Sequence, residues 1–220
     1  MTTTLSDAAR TFLTAPVRVQ TYKRLIYLLL AFPLGLAYFV GFTTGSSMGL
    51  SLLVTLVGLP LLLATLAGAT AAAGLEAALA RTLLDRETPT PPLLSRPDQW
   101  DVDESGYTAA VRRFLGEPTT WTSVALVPLK FVFGLLAFVV VVVGGTTVTM
   151  LLFAPVLYDS PAGSYRVGSY VVSSFPTALA LSGLGLVGVL VVCNAWNALA
   201  AVGGALTDAL LSVDREGETP

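Results

Sequence analysis

Four long apolar runs, with nearly all of the charge gathered between them, constrain this chain more than any other feature. A hydrocarbon core of about 30 Å takes roughly 20 apolar residues of helix. Leu25 to Phe42, Leu50 to Ala80, Ser123 to Met150 and Thr177 to Ala205 supply such lengths. In lipid every backbone N–H and C=O must find its partner within the chain, so runs of this kind cross as helices. The expected fold is an all-α integral membrane protein with transmembrane helices at about 25–43, 50–80, 123–150 and 177–205. These form two hairpins, the first turning at an uncharged Gly/Ser/Thr-rich corner, Thr43 to Gly49, the second at an outer loop of about 154–176.

The second hairpin repeats the first. A shift of 99 residues places Thr21 on Thr120, Phe32 on Phe131, Gly35 on Gly134, Phe39 on Phe138 and Gly45 on Gly144. A shift of 127 places Gly58 on Gly185, Leu79 on Leu206 and Leu83-Leu84 on Leu210-Leu211, so the second outer loop carries a 28-residue insertion. Apolar sequences match easily. A further match lies outside the runs, Arg10-Thr11-Phe12-Leu13-x-x-Pro16 against Arg112-Arg113-Phe114-Leu115-x-x-Pro118. A duplication is therefore the preferred reading within one membrane domain, 1–220, with repeats at 5–85 and 107–212 and a linker at 86–119. Each unit crosses twice, so the copies would share an orientation about a pseudo-two-fold axis along the membrane normal.

Composition agrees: 54% of residues are hydrophobic and 12% charged, where soluble domains carry about 25% charged residues. No signal peptide is expected, because the first apolar run starts at Leu25 and lacks a suitably placed small-residue cleavage site. The lone cysteine, Cys193, lies inside the fourth run, which excludes a disulfide framework and suits a packing residue. With no histidine, histidine acid–base chemistry and most metal sites are excluded. Ten Arg against two Lys with a pI near 5.0 fit a high-salt, halophilic archaeal or GC-rich source. A net charge of −2 gives no reason to expect nucleic acid.

Charge also sets topology. Arg18, Lys23 and Arg24 precede the first helix, Arg81 and Arg86 close the second, and Arg96, Arg112 and Arg113 lie in the linker. The outer loop holds only Asp159 and Arg166. The positive-inside rule then puts both termini and the linker in the cytoplasm of a multi-pass cell-membrane protein. Leu5, Ala9, Phe12 and Leu13 share one face of a short helix ending at Pro16; Tyr107, Val111, Phe114 and Leu115 line a second over 105–116. Each would lie at the membrane surface before its hairpin. The acidic run DQWDVDE lacks the spacing of a calcium loop and reads as solvated charge. The loop LYDSPAGSYRVGSYVVSSFP could form a short hairpin or an interfacial lid; its tyrosines read first as membrane anchors and second as a ligand sensor.

Polar groups inside a membrane are candidates for function. Lys130 follows Trp121 by nine residues and Glu76 precedes Asp85 by nine, so both sit at similar depth, roughly 13 Å in. They could pair. On sequence alone the alternative weighs slightly more: both helices project into the cytoplasm, Lys130 snorkels and Glu76 stays in water. Asn194 and Asn197, one turn apart around Trp196, are expected to bridge helices rather than bind a ligand. Gly41-x-x-x-Gly45-x-x-x-Gly49 permits close helix approach, with intrachain packing the safer reading. Gly183-Leu-Gly185-Leu-Val-Gly188 with Asp208 matches a dinucleotide fingerprint. No strand–turn–helix unit can sit inside an apolar span, so it reads as helix packing. No catalytic residues, metal ligands or cofactor are expected, and an enzyme is not indicated.

The stretch TYKRLIYLLLAFPLGLAYFV, with its Thr-aromatic start and Phe-Pro-Leu-Gly-Leu core, and the following GLPLLLATL resemble the putative sensor domain family. TWTSVALVPLKFVFGLLAFVV resembles that family's second hairpin, and the likeness covers about residues 8–212. The resemblance implies a four-helix membrane domain of the kind found at the amino terminus of bacterial and archaeal sensor histidine kinases. This chain has neither a phosphoacceptor histidine nor an ATP-binding region. The expectation is a non-enzymatic sensor or regulatory module that passes its signal to a kinase, a regulator or an ABC-transporter subunit, or acts as a homo-oligomer. The alternatives are a small transporter or permease subunit, for which Glu76, Lys130, Asn194 and Asn197 would line one cavity, and a structural subunit of a membrane complex.

Overall fold

In the computed structural model the described residues are 10, 12–55, 57–90, 116, 118–159 and 165–212. Among them, four helices are long and apolar enough to cross a membrane: α1 (Val19–Ser51), α2 (Gly58–Leu84), α3 (Pro118–Leu157) and α4 (Phe175–Leu211). Their 33, 27, 40 and 37 residues each exceed the roughly 20 that the hydrocarbon core requires, so they project beyond it. Pro60 and Pro176 fall in the first turns of α2 and α4, where a missing N–H costs nothing. Leu, Val and Phe side chains such as Val143, Leu184, Leu186 and Phe153 are more than half exposed along these helices, whereas Lys130 and Glu76 are buried. Water would expel such a surface; a bilayer suits it. The chain is an all-α multi-pass membrane protein.

The first corner differs from the sequence expectation. Residues 43–51 continue α1, and the reversal falls between the end of α1 at Ser51 and the start of α2 at Gly58, through a 3-10 turn at Leu53–Thr55. Gly, Ser and Thr mark loops in water. In lipid the helix is the backbone's own way of satisfying its polar groups, so these residues stay helical and serve as contact points. A Cβ on Gly45 would collide with the Thr65 side chain, one on Gly49 with Leu62 at 2.6 Å, and one on Gly58 with Leu53 N. Gly41, the first glycine of the spacing, meets nothing. The intrachain packing therefore holds at Gly45 and Gly49, on an intact helix rather than across a turn.

The outer loop is also shorter than expected, because α3 runs to Leu157 and α4 starts at Phe175. Of the two forms the sequence allowed there, a short hairpin is present: β1 (Arg166–Val167) pairs antiparallel with β2 (Tyr170–Val171), turning at Gly168 with φ +62°, a left-handed conformation that glycine adopts without strain. Of the two surface helices, Arg10, Phe12 and Leu13 are helical and a 3-10 turn follows at Ala15–Val17. The rest of the first, residues 105–115 of the second and the acidic run lie outside the described residues.

Contacts divide the chain into two compact units, Ile26–Phe138 with Ala200–Pro220, and Met1–Leu25 with Val139–Leu199. In the first, α1 meets α3 at two glycines. A Cβ on Gly35 would lie 2.7 Å from Lys130 O; one on Gly134 would run into Ala31 O and lie 2.9 Å from Phe32 Cα. Phe32 stacks on Phe138 and Phe39 on Phe131, each with ring centroids 4.7 Å apart. The shift of 99 residues carries Phe32 to Phe131, Phe39 to Phe138, Ala31 to Lys130 and Gly35 to Gly134, so each contact becomes the other. In the second unit α3 meets α4. A Cβ on Gly185 would lie 2.9 Å from Leu152 N and one on Gly188 3.1 Å from Val148. Gly185 and Gly188 of the glycine-rich run thus pack α4 against α3, while Gly183 meets nothing within 4 Å.

Candidate functional site

α1, α2, α3 and α4 deliver one side chain or carbonyl each to a buried polar cluster in the first unit. Tyr27 lies eight residues inside the start of α1, and Glu76 and Gly203 eight residues inside the ends of α2 and α4. At about 1.5 Å per residue these share a depth of about 12 Å from those helix ends. Lys130 comes to them from α3, two residues beyond Pro128. Its Nζ stands 2.6 Å from Glu76 Oε2, donates to Tyr27 Oη at 2.8 Å and reaches Gly203 O at 3.4 Å. The ammonium also sits 5.3 Å from the Tyr27 ring centre and 5.7 Å from that of Phe133, whose π faces favour a cation.

The Lys130 and Glu76 side chains are 1% and 2% exposed. Neither snorkels. The alternative favoured on sequence, Lys130 at the interface and Glu76 in water, is therefore corrected: both point inward, because α4 offers a carbonyl and no side chain at Gly203. A Cβ there would lie 2.7 Å from Phe133 Cε1 and 3.0 Å from Tyr27 Cε1. Each charge on its own would be strongly penalised at this depth. Together they form a neutral unit in which all three ammonium protons have an acceptor. The shift of 127 carries Glu76 onto Gly203 and the shift of 99 carries Ala31 onto Lys130. The charged pair thus has a neutral counterpart in the first helix and the last.

Below this cluster a second one closes the ends of α2 and α4. Arg86 Nη1 lies 2.5 Å from Asp208 Oδ2, its Nη2 donates to Ala201 O at 3.1 Å, and Thr88 Oγ1 donates to Asp208 Oδ1. With both charged side chains 32% exposed, this pair contributes on the order of 0.2–1 kcal/mol. Asp208, the apparent ribose partner of the rejected fingerprint, holds Arg86.

Asn194 and Asn197 belong to the other unit. Asn197 Nδ2 donates to Thr21 Oγ1 at 3.0 Å, and its Oδ1 accepts from Arg24 Nη1 at 3.2 Å. Thr21 Oγ1 in turn donates to Ala15 O at 2.7 Å. Asn194 Nδ2 donates to Phe12 O at 3.0 Å. Through these bonds the two amides hold the amino-terminal segment, 12–24, against α4. Asn197→Ala is expected to free that segment, raising tryptic cleavage after Arg18 several-fold in detergent at a cost of about 1–2 kcal/mol. An unchanged digestion rate would contradict the clamp. Cys193 is a buried free thiol.

Sequence reasoning found Lys130 and Glu76 by depth but missed Tyr27, Phe133 and Gly203. Tyr27 lies at the depth of Glu76 and carries a hydroxyl inside an apolar run, a signal that was there to use. Gly203 carries none, since a carbonyl acceptor has no sequence signature. Among the described residues no group of three or more acidic, cysteine or histidine ligands is placed to hold a metal. The arrangement can lock helices together, since groups from all four meet at one ammonium.

A family model described as "Putative sensor" matches residues 27–211, a stretch that contains Tyr27, Glu76, Lys130, Gly203 and both asparagines. No curated protein and no solved structure matches the chain.

Proposed function

The chain belongs to the putative sensor family, and from that membership we propose that it is a non-enzymatic membrane sensor or regulatory module that passes a signal to a partner protein. The observation that carries this reading is the sealed Lys130–Glu76 pair with Tyr27 and Gly203 O. There α1, α2, α3 and α4 all converge on a single ion. A stimulus can only shift an equilibrium between arrangements for which it has different affinity, and breaking or re-forming such a pair separates two arrangements by several kcal/mol. The interchange of the Gly35 and Gly134 contacts, and of the Phe32 and Phe39 stacks, supports a duplicated origin for the hairpins.

The basic residues support an orientation in the cell membrane with both termini and the linker in the cytoplasm. There the amino-terminal segment clamped by Asn194 and Asn197 faces the partner. With Cys193 replaced by serine, a Ser173→Cys protein is expected to react with a membrane-impermeant maleimide in intact cells, and a Ser212→Cys protein only after lysis. The reverse pattern would overturn the orientation.

A mild-detergent pull-down of the tagged chain from its own host, read by mass spectrometry, tests the function. Reproducible recovery of a kinase, a transcription regulator or an ABC-transporter subunit is the expected result. Recovery of the chain only with itself, as a defined oligomer, would overturn the relay.

A further inference from the structure

α2 ends at Leu84, and the chain turns at Asp85 with φ 53°, a left-handed conformation. Arg86 N then returns to Ala80 O at 3.3 Å, which closes the helix end. Residues 86–90, the first of the linker, form neither helix nor strand, and two helices nonetheless hold them. On one side is α4. The Arg86 side chain crosses it at Gly204, where a Cβ would lie 2.7 Å from both Cδ and Nε. The guanidinium ends on Asp208 and Ala201 O, and Thr88, 3% exposed, donates to the second oxygen of Asp208. On the other side is α2, whose Arg81 Nη1 donates to Thr88 O at 3.1 Å and to Thr90 Oγ1 at 2.7 Å. Five residues without regular structure are thus strapped across the ends of both helices.

The same stretch of α4 serves the buried ion pair. Ala201, Gly204 and Asp208 are spaced three and four residues apart and present one face to the strap. Gly203 and Thr207, four apart, fall on the adjoining face. There Gly203 O meets Lys130 Nζ at 3.4 Å and accepts from the buried Thr207 hydroxyl at 3.1 Å. Both sets lie within eight residues, about two turns of one rigid helix. The two ion pairs differ in strength. Lys130–Glu76 is sealed, whereas both side chains of Arg86–Asp208 are 32% exposed, so that contact is weak and screened. A displacement of α4 breaks the weak contact first. We propose that residues 86–90 are a releasable latch: a shift of α4 at the Lys130–Glu76 pair withdraws Asp208 and Ala201 O from Arg86 and Thr88 and frees the start of the linker. This names where the signal leaves the membrane domain, and in that role it rests on the sensor reading. The latch and its link to the pair do not.

The test uses the full chain in phosphatidylcholine nanodiscs, with Cys193 replaced by serine and a nitroxide on Glu87→Cys, an exposed position within the strap. The parent is expected to give a restricted spin-label spectrum. Asp208→Ala removes the acceptor for both Arg86 and Thr88 and is expected to speed the label's motion several-fold, with Asp208→Asn in between. Thr88→Val tests the same latch from the strap's side. Glu76→Leu with Lys130→Met takes the ammonium from Gly203 O without touching the strap, and is expected to loosen the label as well. A parent label as mobile as in Asp208→Ala and Thr88→Val would overturn the latch. A label that stays restricted in the Glu76→Leu, Lys130→Met protein would overturn its link to the pair. Mobility that follows both sets of variants, with partner recovery in the pull-down unchanged in Asp208→Ala, would keep the latch and sink the sensor reading.

Discussion

Glu76→Gln is expected to lower the unfolding free energy by about 3 kcal/mol or more, read as a shift in the reversible unfolding midpoint in mixed micelles. The mutation keeps the shape and one acceptor but leaves the Lys130 ammonium charged at 1% exposure, with Tyr27 and Gly203 O as its remaining partners. Lys130→Met is expected to cost a similar amount by stranding the carboxylate. The informative variant is the pair replaced together, Glu76→Leu with Lys130→Met. Removing both charges removes both desolvation penalties, so the double variant should regain most of the loss or exceed the parent. A coupling near zero between the two positions would contradict the geometry. Single variants with parental stability would do so as well.

The second large effect is expected at the α1–α3 crossing. Gly35→Ala places a methyl 2.7 Å from Lys130 O and Gly134→Ala places one 2.8 Å from Ala31 C. The opposing atoms are backbone in both cases and cannot step aside. Each is expected to destabilise by about 1–3 kcal/mol as the helices are forced apart, and the two costs should be close because the contacts interchange. The ring stacks of Phe32 on Phe138 and Phe39 on Phe131 would be strained with them. Gly41→Ala and Gly68→Ala are the controls. Their Cβ atoms meet nothing, and a helical Gly→Ala change with room to spare should stabilise by about 0.5–1 kcal/mol. Losses of equal size at all four glycines would refute the distinction between packed and open positions.

How much of this was legible in the sequence follows from the physics of each element. The spans were readable because hydrocarbon thickness imposes a length and backbone satisfaction imposes a helix. The corner at Thr43 to Gly49 was misplaced because loop-forming residues were weighed as they behave in water. In this chain Gly45 and Gly49 are where α2 approaches. The depth of Lys130 and Glu76 could be counted from Trp121 and Asp85, and that count was right. Whether they turned inward could not be counted, since it depended on the Gly203 carbonyl and on the rings of Tyr27 and Phe133. The asparagines announced themselves as hydrogen-bonding groups, yet their partners, Phe12 O, Thr21 and Arg24, lie more than 170 residues away in sequence. Which glycines are packed was hidden for a plainer reason: Gly41 and Gly68, with open space around them, look the same in sequence as the packed ones.

The most direct test of the central claim, that the buried pair serves signalling and not only stability, compares the parent chain with the Glu76→Leu, Lys130→Met double variant. Both are purified with the captured partner, and partner association and output are measured at matched thermal stability. The account predicts that the double variant folds as well as the parent and that its partner association or output is altered, because the apolar pair no longer separates two arrangements. A double variant that folds normally and drives its partner as the parent does would contradict the account and leave the pair a purely structural lock.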